Sequence, residues 1–195
     1  GLGDVYKRQG IVMKTKDLTK MAICIALLSV SSYLSFPLPF TPTMVTAQTI
    51  MINVSSLLLT PQQVFITVML YLLMGLLGFP VFAGGGSGLA YIVSPSGGFL
   101  LAFLIAAPVI SLMRQKVAVN FKRYLQVTVF IGMPIIYFIG AVWMSVVTHM
   151  GLIATLNAAV LPFVIGDTLK CIIASTLALR LERLTSSTKW VTSYE

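Results

Sequence analysis

The chain has 195 residues, of which 57% are hydrophobic and only 9% charged, and its mean hydropathy is +0.97. Soluble domains carry roughly a quarter charged residues, so this composition excludes an ordinary soluble protein and indicates one that resides in a lipid membrane. The formal charge of +8 does not point to nucleic acid, because no basic cluster interleaves with aromatics on a polar face.

Residues 1–12, "GLGDVYKRQGIV", show no periodicity, and "MKTKDLTK" after them reads as a natural start. They are read as a vector-derived scar, which leaves 13–195 as a single membrane domain. A helix needs about 20 apolar residues to cross the hydrocarbon core. On that rule an all-α fold with six spans is predicted, near 21–36, 44–59, 63–79, 98–113, 124–148 and 162–184. The first apolar run continues into a full span, so no cleavable signal is expected. "PLPFTP" stops the first span, "TPQQ" the second and "GFP" the third. Pro108 falls inside the fourth, and Pro134 predicts a kink in the fifth; membrane helices tolerate both when neighbours satisfy the freed backbone. Cys24 and Cys171 lie in apolar runs without metal-ligand spacing, so neither a disulfide framework nor a metal site is expected.

Charge predicts the orientation. Lys14, Lys16 and Lys20 precede the first span, and Arg114, Lys116, Lys122 and Arg123 fill the loop after the fourth. Arg180, Arg183 and Lys189 close the last span, while the connections 37–45, 80–96 and 149–160 contain no Lys or Arg. By the positive-inside rule both termini face the cytoplasm and the three uncharged connections face outward.

Within this frame a few polar residues stand out. Asp167 and Lys170 sit inside the last span, three residues apart and so on one helix face, about two turns below its outer end. A charge at membrane depth is costly and defaults to a functional reading; a structural ion pair is the bland alternative. One anionic acceptor beside one cationic donor suits a small polar ligand entering from outside. "MVTAQTIMINVSS" adds Thr46 and Gln48 at the outward end of the second span, Gln48 offering both a donor and an acceptor. Asn53, Ser55 and Ser56, deeper in that span, read as interhelical hydrogen-bonding groups. Between Pro80 and Ser96, Gly84, Gly85, Gly86 and Gly88 permit positive φ and close backbone approach, as a lid or ligand-contacting loop requires. Tyr91 and Phe82 are the aromatics there that could stack on a ligand.

Gly85-Gly86-Ser87-Gly88 also matches G-x-S-G, and the chain has one histidine, His149. A rhomboid-type intramembrane serine protease uses such a pair, but there the histidine lies in the sixth span. Here it falls at the end of the fifth, and no second-span histidine with an asparagine is present. No catalytic residue is therefore assigned, and no enzyme is expected.

"VTAQT" (Val45–Thr49), "GFPVFAGGGSGLAY" (Gly78–Tyr91), "SPSGGF" (Ser94–Phe99) and "PFVIGDTLK" (Pro162–Lys170) occur in the order found in the BioY family. From about Ala47 to Lys170 the chain resembles these biotin-specific S components of energy-coupling factor (ECF) vitamin importers. It departs in "VIGD", where the family usually has leucine-proline-glycine-aspartate, and in "SPSGG", where it often has glycine-proline-threonine. The resemblance implies a six-helix S-component fold in the bacterial plasma membrane, with biotin bound near the outer face under the loop after the third span. It implies Asp167 and Lys170 as binding residues, with Tyr91, Gln48 and Thr46 beside them. Asp167 would accept a ureido N–H; Lys170 would serve the ureido oxygen or the valerate carboxylate. No cofactor is implied, and without a G-x-x-x-x-G-K-[ST] motif energy must come from other subunits. The resemblance supplies these as two ATPases and a transmembrane coupling subunit. Ala22 and Ala26 form a small-x-x-x-small pair, which in the family faces that coupling subunit, with packing inside the chain as the alternative. An S component for another vitamin, thiamin or riboflavin, would keep the fold and exchange the pocket chemistry.

Overall fold

The computed structural model describes residues 13–191; the scar expected at 1–12 lies outside the described residues. Nine α-helices occur among them: α1 (Thr15–Ser31), α2 (Gln48–Leu58), α3 (Pro61–Leu76), α4 (Gly88–Ile92), α5 (Gly97–Arg114), α6 (Phe121–Val127), α7 (Met133–Thr148), α8 (Leu152–Ala159) and α9 (Val164–Val191). A short antiparallel pair, β1 (Ser35–Pro37) and β2 (Met44–Thr46), joins α1 to α2 with Phe36 opposite Val45. Among the described residues this ribbon, with an isolated bridge between Phe82 and Gly86, is the departure from an all-α fold.

Local chemistry explains where the helices stop. Ser31 Oγ and Ser32 Oγ donate to the carbonyls of Leu28 and Ser29 at 2.8 and 2.6 Å. These side chains compete with the helix ladder, and α1 ends at Ser31, five residues short of the predicted 36. The predicted second span begins too early for the same region: 44–46 is strand, and α2 starts only at Gln48. Thr60 and Gln63 form a reciprocal capping box with Pro61 in the first turn, so α3 begins two residues before the predicted 63. It ends in a Schellman turn: Gly78 has φ +100°, and Phe79 N donates to Met74 O at 3.2 Å.

The break expected at Pro134 lies one turn earlier, where Thr128–Gly132 form a π-turn joining α6 to α7. Proline has no N–H for the carbonyl four residues back, and the wider register absorbs that loss. The uncharged connection 149–160 is not a loop throughout, since it contains α8, bent by 48° from α9.

Among the described residues two helical segments, Gly97–Arg114 and Phe121–Thr148, are long and apolar enough to cross a membrane, and α8 with α9 makes a third if the bent pair counts as one span. The apolar helices α2 and α3 have 11 and 16 residues, fewer than the roughly 20 a straight crossing requires.

Helix α5 is central, packing on α2, α3 and α7. Ala102, Ala106 and Ala107 on it are fully buried, because small side chains let membrane helices approach closely. The contact with α7 is reciprocal. Trp143 of α7 sits on Gly98 of α5, and the Phe99 ring of α5 sits on Gly140 of α7; an added Cβ would meet them at 2.2 and 2.3 Å. At the far end of α5, Arg114 pairs with Glu182 of α9, and the Tyr124 hydroxyl donates to the same carboxylate. The guanidinium also lies 5.8 Å from the Tyr124 ring centroid. Arg114 is therefore more than a topological charge: it ties α5, α6 and α9 together.

Gly98→Ala is expected to lower stability by about 1–3 kcal/mol through overpacking against the Trp143 Cβ. Gly166→Ala, whose Cβ would meet nothing within 4 Å, is expected to be neutral or stabilising by up to about 1 kcal/mol. Thermal unfolding of the purified variants checks both.

Candidate ligand-binding site

Asp167 lies in the first turn of α9, where the helix dipole favours a carboxylate. Its residue is only 9% exposed. Lys170 Nζ donates to Oδ1 at 2.8 Å and Tyr137 Oη donates to Oδ2 at 2.7 Å. A carboxylate offers about four lone-pair directions, so two remain. Lys170 has three donors, of which this pair uses one.

This cluster opens onto a cavity of about 70 Å³. Thr46, Gln48, Tyr91, Asp167 and Lys170 all line it, so the five predicted ligand contacts, scattered over 125 positions, converge. The β1–β2 ribbon delivers Thr43, Met44 and Thr46 to the rim; Phe99, Leu100 and Phe103 of α5 form an apolar wall. Ala159 and Phe163 from the α8–α9 bend complete it. Burial raises the Tyr91 phenol above its ordinary value, which keeps the group facing the cavity a neutral hydroxyl.

Gln48 is buried and donates from Nε2 to Tyr71 Oη, which in turn donates to Val81 O at 2.9 Å. The Tyr71 proton is committed to that carbonyl, so Gln48 must be the donor of the first bond. Rings continue the chain outward: Tyr71 and Phe82 meet edge to face at 5.7 Å, and Phe82 and Tyr91 at 5.2 Å. Phe82 is fully buried and does not line the cavity; rather than stacking on a ligand, it supports Tyr91 from below.

None of Gly84, Gly85, Gly86 or Gly88 lines the cavity, although Ala83 does. Gly84, Gly85 and Gly88 adopt φ of +68°, +77° and +78°, conformations that disfavour other residues. Gly84 N donates to Ser32 O and Ser35 Oγ at 3.2 and 3.0 Å, and Tyr33 Oη donates to Pro80 O. Loop and ribbon therefore interlock over the cavity. Ser87 and His149 are absent from the lining. Ala22 and Ala26 are exposed on α1 beside exposed Ile23 and Leu27, so neither is part of the buried core. Asn53 donates to Cys171 Sγ at 3.6 Å, an interhelical contact as expected, whereas Ser56 bonds its own helix at Ile52 O.

Sequence reading missed Tyr137, Thr43, Thr49 and Ser96. Only Tyr137 carried a usable signal: a phenol amid "PIIYFIG" needs a partner for its hydroxyl when buried.

A helical membrane bundle that encloses a small chamber and directs an ion pair into it is a membrane-embedded solute-binding protein. The chain belongs to the BioY family, which matches residues 6–187. It is 36% identical over 170 residues to a BioY protein of Pyrococcus horikoshii, covering 87% of this chain and 98% of that one. It is 34% identical to the biotin transporter BioY2 of Lactococcus lactis, covering 90% and 94%, and 33% identical to the biotin transporter BioY of Thermotoga maritima, covering 87% and 97%. The crystal structure of the S component for biotin from an ECF-type ABC transporter superposes with a TM-score of 0.83 at 29% identity, covering 88% of this chain and 95% of that chain.

Lys170→Met should destabilise the protein by about 3–5 kcal/mol, because it strands a buried carboxylate. Adding Asp167→Asn to that variant should restore part of the loss; a double variant no more stable than the single one in thermal unfolding would show that the stranded charge is not the cause.

Proposed function

We propose that this chain is the biotin-capturing S component of an ECF-type importer in the bacterial plasma membrane. It takes biotin from the outer side and delivers it inward with a transmembrane coupling subunit and two ATPase subunits. The observation that carries this reading is the convergence of Asp167, Lys170, Gln48, Thr46 and Tyr91 on one cavity in a BioY-family chain.

Biotin's ureido ring presents an N–H donor next to a carbonyl acceptor. Asp167 and Lys170, 2.8 Å apart, offer the complementary acceptor and donor side by side. That match favours the ureido oxygen over the valerate carboxylate as the partner of Lys170. Tyr137 holds the carboxylate from its other oxygen, and Thr46, Gln48 and Tyr91 serve the remaining polar edge. The apolar wall of Phe99, Leu100 and Phe103 accommodates the thioether ring and methylene tail. Hydrogen bonds in such a low-dielectric site are stronger than in water, as capture of a scarce solute demands.

In this reading the bundle crosses the membrane six times with both termini cytoplasmic, supported by the basic residues around the first, fourth and last spans. The second crossing is completed by the extended 44–46 segment, since non-helical backbone is tolerated at depth where it lines a cavity. Gly84, Gly85, Gly86 and Gly88 act as the lid that carries Ala83 and Tyr91. Ala22 and Ala26 form the close-approach face for the coupling subunit, which is consistent with their exposure.

Asp167→Ala should weaken biotin binding by about 2–5 kcal/mol, because it leaves a ligand donor and Lys170 unpaired. Equilibrium binding of radiolabelled biotin, with thiamin and riboflavin as competitors, measures this; a loss smaller than about tenfold, 1.4 kcal/mol, contradicts the assignment. Ala26→Trp should retain binding in detergent and block uptake by cells that supply the ATPase and coupling subunits. Normal uptake would remove the coupling role from that face.

A further inference from the structure

Beneath Asp167 lies a second cavity of about 10 Å³. Thr49, Ile136, Tyr137 and Asp167 line both cavities and so form the partition between them; Asn53, Met133 and Cys171 close the lower one. Two buried polar atoms of its lining, Thr49 Oγ1 and Asn53 Oδ1, have no hydrogen-bond partner among the described residues. Asn53 is 97% buried, and its amide nitrogen is already committed to Cys171. Leaving such groups unsatisfied is costly, and here both belong to the lining of one small chamber.

We propose that this chamber is a binding site for a single water molecule, which holds the Asp167 carboxylate from below while the ligand engages it from above. The position rests on the biotin-binding reading only for its effect on affinity. Size and donor count both fit. A cavity of about 10–15 Å³ admits one water, which wants about three partners. Thr49 Oγ1 donates to it, and it donates its own two protons to Asn53 Oδ1 and the Asp167 carboxylate. Each of the three bonds then has one donor and one acceptor. The Lys170 ammonium 2.8 Å from the carboxylate cancels the negative charge that a monovalent cation would need. The water thus joins α2 to α9 at the binding carboxylate, and Thr49 and Asn53 are positioning residues.

The test is radiolytic hydroxyl-radical labelling of the purified chain, with and without biotin, because the radicals form on bound water and react with nearby sulfur side chains. Met133 and Cys171 line the chamber although they are only 8% and 1% exposed; Met144, at 0% and outside the lining, is the internal control. Met133 and Cys171 should be labelled well above Met144 in both states. Labelling at the Met144 level in the parent chain overturns the proposal. Asn53→Leu and Thr49→Val should bring both sites down to the control level and raise the biotin Kd by about tenfold, with the binding stoichiometry unchanged. Should Asn53→Leu unfold, as a rise in Met144 labelling would reveal, the milder Thr49→Val decides. Unaltered affinity in folded variants, or a change in either readout when sodium is replaced by choline, rejects the water site. A parent chain that binds no biotin would refute the functional reading and leave the labelling result intact.

Discussion

A carboxylate within an apolar bundle is the constraint around which the rest of this molecule is arranged. Isolated in low dielectric, Asp167 would be strongly disfavoured as an anion. Two partners make it tenable, and they differ in kind. Lys170 comes from the same helix one turn on, so that pair forms wherever α9 forms. Tyr137 comes from α7, and its 2.7 Å bond exists only if α7 lies close to α9 with the correct face inward. The π-turn at 128–132 matters for that face: one extra residue in a turn rotates everything after it by roughly 100°. The close approach depends on the paired notches at Gly98 and Gly140, where Trp143 and Phe99 seat. Phe99 then faces the cavity, so the packing that positions α7 also shapes the site.

The two ends of the bundle are held by different means. At the cavity end, irregular backbone does the work: a three-residue ribbon pair, a glycine-rich loop and a bent helix pair meet through a few main-chain hydrogen bonds. The glycine-rich loop is nonetheless anchored, because Val81, Phe82 and Ala83 on it are buried. At the other end Arg114, Tyr124 and Glu182 clasp three helices with charge-assisted hydrogen bonds. Lipid provides no hydrophobic drive between helices, so packing notches and polar contacts must hold the bundle together. The Gln48–Tyr71–Val81 chain and the Phe82 and Tyr91 rings beside it tie the loop over the cavity to the rigid core.

Membrane residence, the approximate position of the hydrophobic segments and the placing of Asp167 and Lys170 on one helix face were legible in the sequence, because each depends on near neighbours. Apolar length, the three-residue spacing of Asp167 and Lys170, and the absence of charge in three connections are all local properties. What escaped was non-local. The 35–46 ribbon is stabilised by pairing across a proline-rich turn and by Ser35 reaching Gly84, and "PLPFTPTM" gives no strand signal of its own. The role of Phe82 was inverted because its burial depends on Gly75, seven residues back on α3, against which its ring lies. The glycines were legible as sites of positive φ, but not as a layer behind the lining rather than part of it.

By itself the sequence determined that this is a membrane protein carrying one buried ion pair, and which residues would have to account for it: spacing along a helix and transfer free energy need no partner. Only the tertiary structure decided what faces that pair. Tyr137, the Thr43–Thr46 ribbon and the small polar chamber formed by Thr49 and Asn53 reach Asp167 from other elements, and side-chain convergence is set by how helices rotate and pack, which no local pattern encodes.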